Sequence, residues 1–143
     1  FVASMRERGL RGAIVPDLPP EEASAYLDAM RKQSLDPIFI YSPSTTDERL
    51  KYLAEYASGF VYCVARKGVT GSSTKFSDEL GGYLARCRAA TDLPLAVGFG
   101  VQDRDDVAFL KGHADIAVVG SQSIRVLDND GVSAVGSFVR KLV

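Results

Sequence analysis

The sequence predicts an α/β fold built on a parallel sheet. Five short runs, at residues 12–15, 37–41, 60–64, 94–98 and 116–120, are apolar at nearly every position instead of alternating. That is the pattern of parallel strands buried on both faces. Segments with apolar residues at helical spacing separate the runs. Strand starts recur every 22 to 34 residues, enough for one helix and its loops in each repeat. Two architectures satisfy this order: an open doubly wound sheet, or part of a (β/α)8 barrel, which takes about 250 residues when complete. The 143 residues would make up roughly half of such a barrel.

Each helix has its own local signals. Phe1, Val2 and Met5 share one helical face ahead of Gly9, a natural helix stop. A chain rarely starts inside an amphipathic helix, so further residues are expected before Phe1. Behind Pro20, which suits a first helical turn, Ala23, Tyr26, Leu27 and Met30 repeat at helical spacing. Thr45 and Glu48 have capping-box spacing ahead of Leu50, Leu53, Ala54 and Ala57. Leu80, Tyr83, Leu84 and Cys87 form the next stripe, in a helix from about Ser77 that Gly81 and Gly82 weaken. Asp103 is placed to cap a helix carrying Val107 and Leu110 and stopped by Gly112. A last helix, from about Gly131 to Leu142, carries Val132, Val135, Val139 and Leu142.

Composition narrows the function. With 17 basic and 18 acidic residues scattered along the chain, no basic stripe offers a nucleic-acid track. No apolar run approaches bilayer length and no signal-peptide pattern opens the chain, so no membrane association is expected. Cys63 and Cys87 lack metal-site spacing and read as small core residues in a reducing compartment. One histidine, His113, follows Gly112 on the side opposite the expected site, and no metal site or Ser/His/Asp set is predicted.

In parallel α/β folds ligands meet the loops that leave the C-terminal strand ends. Asp17 lies in Val15-Pro16-Asp17-Leu18-Pro19-Pro20, a stiff segment in which it either faces the site or accepts bonds from nearby amides. The long loop Arg66-Lys67-Gly68-Val69-Thr70-Gly71 reads as an anion-approaching lid or as a plain surface loop. Gly98-Phe99-Gly100 and Gly120-Ser121 end the last two strands. Glycines there, with Ser121 opening a short helix, match the phosphate site of barrels: amides from two loops plus a helix N-terminus.

These segments, with Tyr62, resemble the tryptophan synthase alpha subunits in order and spacing over essentially the whole chain. The resemblance implies the C-terminal half of a TIM (β/α)8 barrel, strands 4 to 8, with residues 1–143 as one partial domain lacking strands 1 to 3. It implies a cofactor-free lyase that cleaves indole-3-glycerol phosphate to indole and glyceraldehyde 3-phosphate by a retro-aldol route. The partner it implies is the tryptophan synthase beta subunit, in an α2β2 tetramer, and the location the cytoplasm, or the plastid in a plant. Carried over by position, Gly71, Gly100, Gly120 and Ser121 hold the substrate phosphate. Phe99 and Tyr62 line the pocket, Thr70 belongs to the lid, and Asp17 lies near the site and the beta-facing surface. The family's catalytic Glu and Asp belong to a region with no counterpart here, so no residue is assigned as catalytic and the chain alone is expected to be inactive. The alternative is a non-catalytic half-barrel binding a phosphorylated ligand or a protein; a third reading, another phosphate-binding barrel of indole or histidine biosynthesis, is disfavoured by the Val15–Pro19 and Arg66–Gly71 segments. An isolated half-barrel is also expected to self-associate, aggregate or stay partly molten.

Overall fold

The computed structural model describes residues 1–65, 78–98 and 100–143. The elements run α1 (Val2–Glu7), β1 (Gly12–Ile14), a 3-10 turn at Pro20–Glu22, α2 (Ser24–Lys32), β2 (Asp36–Ile38), β3 (Ile40–Tyr41) and α3 (Asp47–Ala54). They continue with β4 (Val61–Val64), α4 (Asp78–Ala90), β5 (Leu95–Gly98), α5 (Arg104–Leu110), β6 (Ile116–Ala117), α6 (Ser121–Asp130) and α7 (Val132–Leu142).

Among the described residues every strand pair is parallel, and the order is β1-β2 followed by β3-β4-β5-β6. β2 and β3 are two parts of one run. The first part pairs with β1 and the second with β4, and the Phe39 carbonyl between them accepts from the Tyr62 amide at 2.9 Å. Strands therefore stand in strict sequence order. A doubly wound sheet reverses its order at a switch point, so it is the barrel alternative that this sheet matches.

The two faces of the sheet differ. Paired residues in register point to one side, which groups Phe39, Tyr41, Val61, Cys63, Leu95 and Val97 on one face, each at most 8% exposed. They form the main core with Leu50, Leu53, Leu80, Tyr83, Leu84 and Cys87 from α3 and α4. The opposite face carries Ile40, Tyr62, Ala96 and Ile116 in one row, with Ile14 beside Ile38 in the next strands. Ile14 and Ile116 are 36% and 42% exposed. A smaller core joins Met5, Met30 and Leu35 beneath α1 and α2.

Local chemistry explains most boundaries. Gly9 and Gly112 end their helices with φ of 74° and 89°, conformations that L side chains rarely adopt. α5 starts on a reciprocal capping box: Asp103 accepts from the Asp106 amide, and Asp106 accepts from the Asp103 amide. α3 corrects the expected Thr45 cap. Thr46 caps it, accepting from the Arg49 amide at 3.3 Å, while the Thr45 hydroxyl accepts from the Ser42 amide at 3.2 Å. The preceding turn uses Thr45, so the helix starts one residue later. The helix opened by Ser121 runs ten residues, longer than expected, and β6 is shorter than the apolar run that suggested it. Ser77, the expected start of α4, lies outside the described residues, as does the segment before it.

Candidate functional site

The candidate site forms where β5 and β6 end. These neighbouring strands run parallel, so the segments leaving them emerge side by side at one edge of the sheet. Gly100 follows β5 with φ 139°, a backbone open to glycine and strained for other residues. Gly120 is the N-cap of α6 and Ser121 its first residue, both exposed. No side chain caps α6, so its first-turn amides face outward with the positive end of the helix dipole behind them. The Gly120 carbonyl accepts from the Ser123 amide at 2.9 Å, and the Ser123 hydroxyl donates to the Val119 carbonyl at 3.1 Å, which holds this turn in place. Such a turn suits an anion.

Tyr62 stands on the bare face of the sheet, half-buried. Burial pushes its phenol up from its ordinary pKa, so the ring stays neutral across the physiological range. Its hydroxyl reaches across to β5: a Cβ added at Gly98 would lie 1.8 Å from the Tyr62 Oη. Gly98 is thus the position at which β5 admits the tyrosine. The register of the bare face adds Ile14 and Ile40 as apolar neighbours towards the same strand ends. Sequence reasoning gave Gly98 only as part of a glycine motif and passed over Ile14 and Ile40 as site residues. The inward or outward direction of a strand residue becomes visible only once the register is fixed.

Asp17 is exposed, in a turn closed by the Leu18 amide donating to the Val15 carbonyl at 3.3 Å. It lies at the end of β1, three strands from β5, and is not brought to the glycine pair. Thr70, Gly71 and Phe99 lie outside the described residues. Among the described residues no group of three or more His, Cys, Asp or Glu could hold a metal, and no helix is long and apolar enough to cross a membrane.

Three acidic residues on this side of the sheet have structural partners. Asp103 and Asp106 cap α5, and Asp47 accepts from Arg86 at 2.6 Å. Cys63 and Cys87 sit fully buried side by side between β4 and α4. The neighbouring Cys87 thiol and then burial push the Cys63 thiol well up, so it is poorly suited as a nucleophile. His113 is exposed, stacks on Phe109 and donates from Nδ1 to the Phe109 carbonyl at 2.9 Å, a local role away from the site.

Comparison with known proteins adds kinship to this geometry. The family model for the tryptophan synthase alpha chain matches residues 1–139. The tryptophan synthase alpha chain of Desulforapulum autotrophicum is 63% identical over 142 residues, 99% of this chain and 56% of the relative. A solved tryptophan synthase structure from Mycobacterium tuberculosis superposes with a TM-score of 0.87 at 35% identity, over 99% of this chain and 54% of that one. The tryptophan synthase α2β2 complex of Pyrococcus furiosus gives a TM-score of 0.83 at 32% identity, covering 99% of this chain and 58% of that one. This chain therefore spans a little over half the length of the relatives it matches, and its sheet corresponds to part of their barrel.

Proposed function

The chain belongs to the tryptophan synthase alpha chain family, and from that premise we propose that it forms the ligand-holding part of an alpha-subunit barrel. Residues 1–143 supply strands 4 to 8 as one partial domain, and strands 1 to 3 come from further polypeptide. The completed barrel is a cofactor-free lyase that cleaves indole-3-glycerol phosphate to indole and glyceraldehyde 3-phosphate. The observation that carries this reading is the adjacent pair of glycine turns after β5 and β6, with an uncapped helix behind the second.

In that reading the amides around Gly100, Gly120 and Ser121, with Gly71, bind the phosphate dianion through backbone N–H groups and the α6 dipole. Tyr62 and Phe99, beside Ile14 and Ile40, wall the indole ring, and Thr70 belongs to the lid that closes over it. Asp17 lies near the site entrance and the surface facing a beta subunit. The retro-aldol step needs an acid to protonate the indole ring carbon and a base to take the glycerol hydroxyl proton. No carboxylate of this chain is matched to those roles. The catalytic pair enters with the first strands, and the chain alone binds without turnover. The reading places the assembled subunit in the cytoplasm.

An indole-release assay tests this on the chain alone and after addition of the N-terminal half of a family member. The expected result is no turnover alone and turnover after addition. Indole release by the chain alone would refute the assignment of catalysis to the missing strands. Phosphate-ligand binding with no turnover in either setting favours a non-catalytic half-barrel.

A further inference from the structure

Two thiols and a phenol lie together in the main core, and the proposed chemistry uses none of them. Cys63 projects from β4 onto the core face of the sheet, and Cys87 follows Leu80, Tyr83 and Leu84 on the buried stripe of α4. Both cysteines are fully buried and free. Their thiols are within hydrogen-bonding reach of each other. Tyr83 stands about one helical turn before Cys87 and is 4% exposed. Its hydroxyl is buried without a hydrogen-bond partner, although it lies within range of both thiols. Buried polar groups in native proteins are nearly always satisfied, so an orphaned one needs a reason.

A thiolate at Cys87 would give that hydroxyl an acceptor. The Cys63 thiol first, and Tyr83 and Arg86 after it, hold the Cys87 thiol below its ordinary value against the opposing effect of burial. The same contact holds the Cys63 thiol up, so the two groups have distinct roles: Cys87 gives up its proton first and Cys63 keeps its own. Among the described residues no third His, Cys, Asp or Glu joins them, as a structural metal site would need. Two facing thiols of unequal acidity suit disulfide chemistry instead. Access comes through α4, whose first half contains Gly81 and Gly82. Two adjacent glycines weaken a helix, and local opening there uncovers the pair.

We propose that Cys63 and Cys87 form a reversible redox pair, oxidised by a small-molecule disulfide to an internal bond that ties α4 to β4. The Cys87 thiolate attacks one sulfur of the oxidant, forming a mixed disulfide and releasing one thiol. Cys63 then gives up its proton and attacks the Cys87 sulfur, which forms the Cys63–Cys87 bond and releases the second thiol. Two protein thiols are oxidised, and one disulfide is reduced to two thiols. The first step also removes the neighbouring group that held the Cys63 thiol up. Excess thiol reverses both steps. The bond needs its sulfurs at about 2 Å, so α4 closes towards β4 when it forms. The pair does not rest on the lyase reading.

Oxidised glutathione added to the reduced 143-residue chain tests the pair. The expected product is a single chain about 2 Da lighter than the reduced one, with no free thiol after denaturation and a protease peptide joining residues 63 and 87. Unchanged thiols, a lasting glutathione adduct on the parent chain, or disulfide-linked dimers would each overturn the proposal. Cys63→Ser is expected to hold one glutathione on Cys87, while Cys87→Ser reacts at least tenfold more slowly. The reverse order would refute the assigned roles, and far-UV circular dichroism checks that both variants fold. A Cβ at Gly82 meets nothing within 4 Å, so Gly82→Ala stiffens α4 without a clash and is expected to slow oxidation about fivefold. An unchanged rate contradicts opening through α4. The oxidised chain is expected to unfold at higher urea than the reduced one, because the bond closes a loop of about 25 residues. A lower midpoint would show a bond made against the fold and overturn the assignment.

Discussion

A methyl group added at Gly98 would fall 1.8 Å from the Tyr62 hydroxyl oxygen and 2.5 Å from the ring carbon that bears it. Neither distance is tolerable, so Gly98→Ala must displace the ring or the strand. The expected cost is about 1–3 kcal/mol of stability, the usual range for overpacking. Chemical denaturation checks it, and Tyr62→Leu in the same chain should recover part of the loss. The sequence showed this glycine only as one member of a loop motif. Its reason is a contact between two strands more than thirty residues apart, which no local pattern encodes. The cysteines were different: an apolar strand position and an apolar helix stripe placed both in the core, and both are fully buried there.

At the scale of elements, the capping box on α5 links stability to the site, because this helix follows directly on the Gly100 turn. Asp103→Ala leaves first-turn amides unsatisfied and is expected to lower stability by about 1 kcal/mol. Amide hydrogen exchange should show the loss concentrated at residues 104–107, and equal protection in variant and parent would contradict it. This cap was legible because aspartate just ahead of an apolar helical stripe is a local signal, while the return bond from Asp106 came only with the structure. The α3 cap was misplaced by one residue because Thr45 and Thr46 offer the same hydroxyl. Only the turn at Ser42 decides which of them is already engaged.

Across the whole molecule, Asp115 ties the sheet to the helix layer at the end away from the site. It accepts from the Leu95 amide at 2.7 Å and pairs with Arg88 of α4. The amide bond first, and then the arginine, hold its carboxyl below the ordinary aspartate value. A lowered folded pKa stabilises the fold above the unfolded value of about 3.9 and is lost as pH falls through the folded one. Urea midpoints should therefore drop at and below pH ~4, and Asp115→Asn should flatten that part of the profile. The side chain is about half exposed, so the effect at neutral pH stays under about 1 kcal/mol. The fold class was legible at this scale, since five apolar runs at regular spacing allow little else. The apolar inner face with nothing opposite it was expected too, because half a barrel lacks the strands that would face it. An apolar strand asks to be covered on both sides, and the sequence does not say which neighbour does the covering.

The strict order of the strands also governs how such a sheet is built. Among the described residues, and with β3 continuing β2, each strand pairs with the run that precedes it in the chain. During synthesis the sheet can grow one βα unit at a time, every closure spanning one helix and its loops. The newest strand is always the open edge until its successor arrives. A pause at any unit boundary leaves an intermediate whose newest strand is an unpaired template, so association with other chains would compete with elongation at each step.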